Sequence, residues 1–386
     1  DANPCSQAAP CLSFNRAYNA ASSGDIVEVA CGSYGYQRLD RDNTKAAGQY
    51  VTFQPPAGQS STCVNLTSIL QFGDRDGALS ARWVYFKNMS FYQGTLQTNP
   101  TNDYGVRMWK DADNIVIDGF SGGKFDLGAP SNITIKNSDL GNCYANVNNP
   151  CLNRIAGDLV GSTFYQATNI LIENNKIHDI NSQGVLGECG DPNDTCHVDG
   201  IAVFSSGSPG VIIRGNKLYK NGVTTIALQT QNGGTVGNVT IENNWIGPAC
   251  RGLAAGGTCD MVALEVRTPT PDLVVRFNSF SGNGGVNCTG ASFSCGTSSS
   301  RAQIIGNIMT VVGGQTAVCN TTNADFYYNV EKQWNESASN PPAPCGPTDV
   351  FQNNQGFYTN PAPGPSYDLH LNSSSSTPVN FVPASV

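Results

Sequence analysis

The sequence predicts an all-β chain that folds as a single parallel β-solenoid. Short segments alternate β-branched residues with others, and this period of two indicates strands with one buried face. The β-branched run within each segment ends in Asn or Gly, which predicts a stacked ladder at a sharp corner, where Asn tolerates left-handed backbone. Strands that stack in register, coil upon coil, form a solenoid, and nothing predicts a second domain. The segments are WVYFKNMSF, NIVIDGFSG, NITIKNSDL, NILIENNKI, GVIIRGNKL, NVTIENNWI, LVVRFNSF, QIIGNIM and DFYYNVEK.

The repeated Asn fixes where each coil should turn. Its spacing along the chain is irregular, which fits a coil of constant cross-section carrying loops of variable length. The predicted ladder positions are Asn88, Asn137, Asn175, Asn216, Asn244, Asn278, Asn307 and Asn329, with Gly119 in one slot.

Composition narrows the class of protein. Of the 386 residues, 39% are hydrophobic and only 13% are charged, a profile typical of a turn-rich extracellular β protein. A net charge of −8 argues against nucleic acid, and more weakly against other polyanions, because a bound cation can invert the field of a groove. No apolar run is long enough to span a membrane, so we expect no membrane insertion. The chain begins DANPCSQ, and we expect a mature form without its signal peptide.

The fourteen cysteines predict loops closed by local disulfides in an oxidising compartment. Metal-binding CxxC pairs are absent. We therefore expect an extracellular protein, either secreted or on the cell surface. Pairing of neighbours is the simplest connectivity: Cys5 with Cys11, Cys143 with Cys151, Cys189 with Cys196, Cys250 with Cys259 and Cys288 with Cys295, and, further apart, Cys31 with Cys63 and Cys319 with Cys345.

Two segments carry a family resemblance. The stretch AYNAASSGDIVEVACGSY, Ala17 to Tyr34, resembles the opening of many secreted proteins of the right-handed parallel β-helix superfamily, the pectate-lyase-like proteins. The resemblance implies a right-handed β-helix with an N-terminal capping helix: cap and first coil over 1–35, β-helix over 36–335. The tail over 336–386, with NPAPGPSYDLHLNSSSSTP, resembles the ending of many bacterial members and is expected to pack on the solenoid.

A second set of strands predicts a column of carboxylates. The strands GDLVGSTF, VDGIAVFSS, VTTIALQTQ and CDMVALEVR each precede an Asn-tipped strand. Neighbouring coils lie about 4.8 Å apart, so carboxylates on adjacent coils would be close. The predicted inward column is Val160, Ile201, Ile226 and Val262. The predicted carboxylate column is Asp158, Asp199 and Asp260, with Thr224 between the last two.

Three interpretations of this column remain open. An Asp at a strand entrance accepts backbone N–H bonds and fixes a corner, which is a structural role. Carboxylates on adjacent coils also suit Ca²⁺, with Asp158 and Asp199 as ligands, and Ca²⁺ is the only cofactor that the pattern suggests. A carboxylate pair about 5–10 Å apart suits glycoside hydrolysis, either retaining or inverting.

Motif resemblances add His197 and Arg267. HVDGI resembles the N-T-D-G-I motif of polygalacturonase-type hydrolases, which implies that Asp199 is catalytic; the Asp-Asp, H-G and R-I-K motifs of that family are absent. Arg267 and Pro269 match the R-x-P-x-x-R of pectate lyases, with Asp272 in place of the second Arg. A lyase neutralises the uronate carboxylate and removes a C5 proton, so Arg267 or a cation would do the first and His197 or Arg267 the second. The structural alternative for His197 is a turn residue.

Outward positions on the same strands predict a strip for substrate. Ala202, Ala227, Ala263 and Gly161 form a smooth column, flanked by aromatic and polar side chains. An extended sugar chain needs aromatic faces and fixed polar groups, although a solvated sheet face would show the same pattern. The predicted substrate-binding residues are Tyr165, Phe204, Gln229 and Gln231.

Two hypotheses of function follow. The first is a secreted polysaccharide-degrading enzyme, a lyase or glycoside hydrolase, that holds an extended glycan in a groove on the β-helix. The second is a non-catalytic glycan-binding adhesin or a structural surface or fibre protein, which the missing motifs favour. A polysaccharide is the expected partner. The predicted catalytic residues are His197, Asp199, Asp158, Asp260, Glu265 and Arg267.

Overall fold

The protein is a right-handed parallel β-helix, as predicted, with three long parallel sheets that each coil crosses in the same order. The structure is a computed structural model. It describes residues 3–74, 79–91, 105–109, 111–128, 130–141, 143–144, 155–157, 167–178, 180–181, 199–204, 206–219, 221, 224–230, 236–247, 263–280, 286–288, 295–311, 323–333, 345–351, 358–360 and 368–371.

Sheet I is the longest of the three and has eleven strands. Its β-branched residues alternate between a buried and an outer face, as in Ser131–Lys136, where Ile133 and Ile135 are buried. In order the strands are Ile26–Glu28, Val51–Gln54, Arg82–Lys87, Asp113–Asp118, Ser131–Lys136, Thr168–Glu173, Val211–Arg214, Val239–Glu242, Val274–Arg276, Ala302–Ile305 and Ala324–Tyr327.

Sheet II follows sheet I within each coil. Its eight strands are Asp139–Leu140, Lys176–His178, Lys217–Tyr219, Trp245–Ile246, Ser279–Phe280, Ile308–Val311, Val330–Gln333 and Val350–Phe351. Isolated bridges through Ser121 connect it to a three-stranded sheet in the first coils, formed by Gly32–Tyr34, Val64–Leu66 and Ser90–Phe91.

Sheet III completes each coil and has nine strands. These are Gln37–Leu39, Ile69–Phe72, Gly105–Met108, Lys124–Leu127, Ile155–Gly157, Asp199–Val203, Thr224–Leu228, Leu264–Val266 and Val286–Cys288. The remaining elements are a parallel pair, Cys143–Tyr144 and Ile180–Asn181, an antiparallel pair, Tyr358–Asn360 and Asp368–Leu371, and the 3₁₀ turn Ser61–Cys63.

The corner between sheets I and II carries the predicted Asn ladder. Asn216 Nδ2 donates to the carbonyl of Ile172 at 2.9 Å and to Asn244 Oδ1 at 3.0 Å, and Asn216 Oδ1 accepts the N–H of Asn175 at 2.9 Å. Because the ladder is buried, each amide satisfies backbone groups that water does not reach. The ladder consists of Asn175, Asn216, Asn244, Asn278, Asn307 and Asn329, and Asp349 ends it.

The predicted ladder mixed two neighbouring columns. Asn88, Gly119 and Asn137 have positive φ angles of 53°, 70° and 51° and belong to the residue column that precedes the ladder. Asn174, with φ of 54°, occupies that column directly before the ladder residue Asn175. The prediction at those three positions was wrong because Asn serves both columns, in one for left-handed backbone and in the other for its amide.

A helix covers the first coil, as the resemblance implied. It spans Phe14–Ala20, and Ser13 caps it by accepting the N–H of Arg16. Phe14 is buried, with its ring centre 5.6 Å from that of Phe53. Tyr18 donates its hydroxyl to the carbonyl of Arg82 at 2.8 Å. The helix therefore closes the apolar interior at this end.

Three predicted disulfides are confirmed. They are Cys5–Cys11, Cys31–Cys63 and Cys288–Cys295. Cys345 is also disulfide-bonded, and its predicted partner is Cys319.

The other predicted disulfides depend on cysteines outside the described residues. The bonds of Cys143 with Cys151, of Cys189 with Cys196, of Cys250 with Cys259 and of Cys319 with Cys345 therefore stay predictions. The cysteines that lie outside the described residues are Cys151, Cys189, Cys196, Cys250, Cys259 and Cys319.

The carboxyl-terminal boundary of the solenoid stays a prediction. Sheet II continues to Val350–Phe351, which pairs in parallel with Val330–Gln333, so sheet pairing extends past residue 335. Packing of the tail on the solenoid is untested. Within the described part of the chain, no helix is long and apolar enough to cross a membrane.

Candidate functional site

Strand register on sheet III corrects the predicted alignment. Ile201 lies opposite Ile226, as predicted, and Asp199 lies opposite Thr224. Ile155 and Leu264, however, hold the first and fourth positions, so the alignment that predicted Val160 and Val262 there was wrong. Loops of unequal length precede these strands, and no repeated marker residue fixes their register. The residues that share this register position on adjacent strands are Ile155, Ile201, Ile226, Leu264 and Val286.

The carboxylate column was therefore predicted from an alignment whose register was wrong for two of its three residues. Ca²⁺ binding by Asp158 and Asp199 stays a prediction, and among the described residues no group of three or more His, Cys, Asp or Glu side chains is placed to hold a metal ion. The predicted site residues that lie outside the described part are Asp158, Tyr165, His197, Gln231 and Asp260.

Asp199 has a structural role, which was one of the three interpretations of the carboxylate column. It is fully buried, and its Oδ1 accepts the backbone N–H of Thr224 on the next strand at 3.1 Å. The glycine that follows is also explained. A Cβ at Gly200 would lie 2.6 Å from the carbonyl oxygen of Thr225 and 2.7 Å from Asn221 Nδ2. The Asp-Gly pair thus permits two coils to approach closely.

Glu265 and Arg267 form the centre of a polar network. Leu264 and Val266 belong to the core, so alternation places Glu265 and Arg267 on the outer face of the strand. Arg267 Nη2 donates to Glu265 Oε2 at 2.6 Å, and Nη1 donates to Gln229 Oε1 at 2.9 Å. The side chains of Glu265 and Arg267 retain 13% and 24% of their surface, so solvent reaches both.

Thr224 links this network to Asp199. Its Oγ1 donates to Glu265 Oε2 at 3.1 Å, while its N–H donates to Asp199 Oδ1. Thr224 therefore connects the carboxylate of Asp199 to that of Glu265 through one hydrogen bond to each. Because Asp199 is buried, Glu265 is the one of these two carboxylates that a ligand can reach.

The predicted strip of small residues is only partly observed. Ala202 and Ala227 are neighbours in register, but both are fully buried and offer no open surface. Glu265, not Ala263, lies opposite Ala227, so the prediction at the fourth strand was wrong. Phe204 keeps only 9% of its surface.

The outer face of sheet III extends well beyond the predicted residues. An aromatic residue lies next to each of two of its first strands, two positions from an Arg: Tyr36 precedes the strand of Arg38, and Trp109 follows the strand of Arg107. This two-residue spacing was the signal that could have identified these side chains from the sequence. Among the described side chains, the outer column is Arg38, Gln71, Arg107, Asp126, Ala202, Ala227 and Glu265.

Comparison with known proteins establishes the fold. No protein-family profile and no curated protein sequence matches this chain. The complex of XylC with xylose has a TM-score of 0.50 and 11% identity over 88% of this chain and 75% of that one. Pectate lyase Pel9A gives 0.44 and 14% over 96% and 86%. For GH136 lacto-N-biosidase from Eubacterium ramulus the values are 0.46 and 11% over 86% and 65%. At such identities the likeness concerns the fold alone.

Proposed function

We propose that this protein is an extracellular, carbohydrate-active β-helix protein that cleaves a polysaccharide by glycoside hydrolysis, with its sugar site on the outer face of sheet III around Glu265. The supporting observation is the network of Glu265, Arg267, Gln229 and Thr224, in which the carboxylate of Glu265 remains accessible to solvent. The confirmed disulfides support an extracellular location.

Glu265 serves as the base or nucleophile in this proposal. The 2.6 Å bond from Arg267 favours the ionised carboxylate, which suits attack or water activation rather than proton donation. Gln229 and Thr224 hold this pair in place through one hydrogen bond each. The proton for the leaving group must come from a second acid, because hydrolysis needs a proton donor beside the base or nucleophile.

Hydrolysis is favoured over β-elimination because of what Arg267 already contacts. A lyase must neutralise the uronate carboxylate of its substrate. The Arg267 guanidinium donates to Glu265 and to Gln229, and this pairing offsets its charge. Neutralisation of a uronate by Arg267 would compete with its ion pair to Glu265.

The test is incubation with neutral and uronate-rich polysaccharides, with and without Ca²⁺, while reducing ends and ultraviolet absorbance of unsaturated products are recorded. We expect reducing ends without absorbance from the wild-type protein. Glu265→Gln keeps the shape of the side chain and should reduce the rate by at least ~100-fold. Absorbance that appears together with the reducing ends would replace hydrolysis with elimination.

Glycan binding without cleavage is the second candidate function. Burial of Asp199 in a structural hydrogen bond favours it, because this carboxylate does not face a ligand. The same panel separates the candidates: retention of a polysaccharide by the protein, with no new reducing ends, would support the non-catalytic role.

A further inference from the structure

A second cluster of polar and aromatic side chains lies on the same face of sheet III, near its first strands. The amino-terminal cluster is Tyr36, Arg38, Gln71, Arg107 and Trp109. Arg38, Gln71 and Arg107 are neighbours in register on adjacent strands. The strand of Arg107 is five strands from that of Glu265, or about 24 Å at ~4.8 Å per strand, so the cluster is separate from the Glu265 network.

The aromatic rings of this cluster lie beside its charged groups. Tyr36 is 51% exposed. Burial raises the pKa of its phenol, the charge of Arg38 lowers that pKa, and Asp74 raises it, which shows that the phenol lies among these groups. The Arg107 guanidinium lies 6.0 Å from the centre of the Trp109 ring. An exposed tyrosine therefore lies beside a row of fixed polar groups.

Both guanidinium groups are already paired with carboxylates. Arg38 contacts Asp40 at 2.6 Å and Asp74 at 3.2 Å, and Arg107 contacts Asp126 at 3.2 Å. Such a pair presents N–H donors and oxygen acceptors side by side while its charges cancel. This arrangement matches the hydroxyl groups of a neutral sugar, which both donate and accept. It matches a uronate poorly, because Asp40, Asp74 and Asp126 would repel the uronate carboxylate.

We propose that the amino-terminal cluster is a binding site for a neutral glycan, in which one sugar ring packs on Tyr36, another packs on Trp109 further along the chain, and hydroxyls bond to the paired Arg38 and Arg107. The proposal rests on the proposed function in taking the ligand to be a glycan. It adds that the glycan is neutral and that it is bound at a second site, away from Glu265. Aromatic and Arg side chains also favour protein interfaces, so a protein partner is the competing outcome.

The experiment measures glycan affinity separately from cleavage. Tyr36→Ala and Trp109→Ala are made in a Glu265→Gln background, and binding to neutral and uronate-rich polysaccharides is measured by titration calorimetry. Each substitution should weaken binding of the neutral glycan about tenfold, the value of one lost stacking contact. Tyr327→Ala, at a tyrosine that is 39% exposed on sheet I, is the matched control and should leave affinity unchanged. Thermal unfolding checks that every variant is folded.

The outcomes separate this inference from the proposed function. Unchanged affinity in both aromatic variants, with cleavage intact in the wild-type protein, overturns the inference alone, as does a preference for uronate-rich chains. Weakened affinity in both variants without any cleavage by the wild-type protein supports the second site and overturns hydrolysis. Failure of the wild-type protein to bind or cleave any glycan overturns both, and a protein partner then becomes the better explanation of the cluster.

Discussion

At the corner between sheets I and II, the same side chain makes the same contacts in coil after coil, whereas along the outer face of sheet III the side chains change from strand to strand. The ladder from Asn175 to Asn329 is buried, and its amides are hydrogen-bonded to backbone and to one another. The sheet III column runs from Arg38 through alanines to Glu265. A repeated contact maintains the coil, while a departure from the repeat at an in-register position marks where a ligand can be recognised.

The strongest test of this comparison replaces a ladder residue. Asn175→Ala removes the donor to the carbonyl of Ile135 and the acceptor for the N–H of Ser138, so two hydrogen bonds of the buried corner are lost. We expect the free energy of unfolding to fall by about 3 kcal/mol, measured by denaturant titration. Asn174→Gly is the matched control one residue earlier, since φ there is 54° and glycine adopts that angle without strain. Equal losses in the two variants would contradict the separate roles of the columns.

The next test breaks the close approach of coils beside the candidate site. Gly200→Ala places a Cβ 2.6 Å from a backbone oxygen, so the Asp199–Val203 strand must shift. We expect a loss of about 1–3 kcal/mol in stability, together with lower glycan turnover because Asp199 positions Thr224. Gly35→Ala is the control, because nothing lies within 4 Å of a Cβ there. A variant at position 200 as stable and active as the control would show that the Asp-Gly pair is not needed.

Some features of this fold could be predicted from the sequence, and others could not. The alternation and the repeated Asn predicted the solenoid and most of its ladder, because both features recur in every coil and the corner is short. Register on sheet III could not be predicted at Val160 and Val262, because loops of unequal length separate sheets II and III. The bonds that Gln229 and Thr224 make to Arg267 and Glu265 depend on that register, and the amino-terminal cluster offered only the two-residue spacing of its aromatic and Arg residues as a signal.

The pH dependence of stability tests the contribution of a tyrosine on the outer face of sheet I. Burial, and then a hydrogen bond to Asp118, raises the pKa of Tyr85 to about 12. The folded pKa is above the unfolded value of about 10, so this contribution to stability is present below pH ~10 and is lost as the pH rises towards 12. Tyr85→Phe should flatten the fall in stability across that window, followed by denaturant titration at stepped pH. An identical slope in both proteins would contradict the assignment.

The smallest expected effect concerns a column of alternating charge on sheet I. Arg214 contacts Glu173 at 2.9 Å, and 45% of the arginine side chain is exposed. Arg214→Met should lower the free energy of unfolding by less than about 1 kcal/mol, and the difference should shrink at 1 M salt because exposed pairs are screened. A loss that persists at high salt would indicate packing rather than charge. The column is Lys87, Asp118, Lys136, Glu173, Arg214, Glu242 and Arg276.

The central claim is that the corner between sheets I and II is structural and the face of sheet III is functional. The most direct test compares Asn175→Ala with Glu265→Gln for two properties, the midpoint of unfolding and glycan turnover per folded molecule. The account predicts that Asn175→Ala lowers the midpoint and leaves turnover intact, and that Glu265→Gln abolishes turnover and leaves the midpoint within experimental error. A Glu265→Gln protein that cleaves glycan at the wild-type rate but unfolds earlier would contradict the account, because Glu265 would then serve the fold.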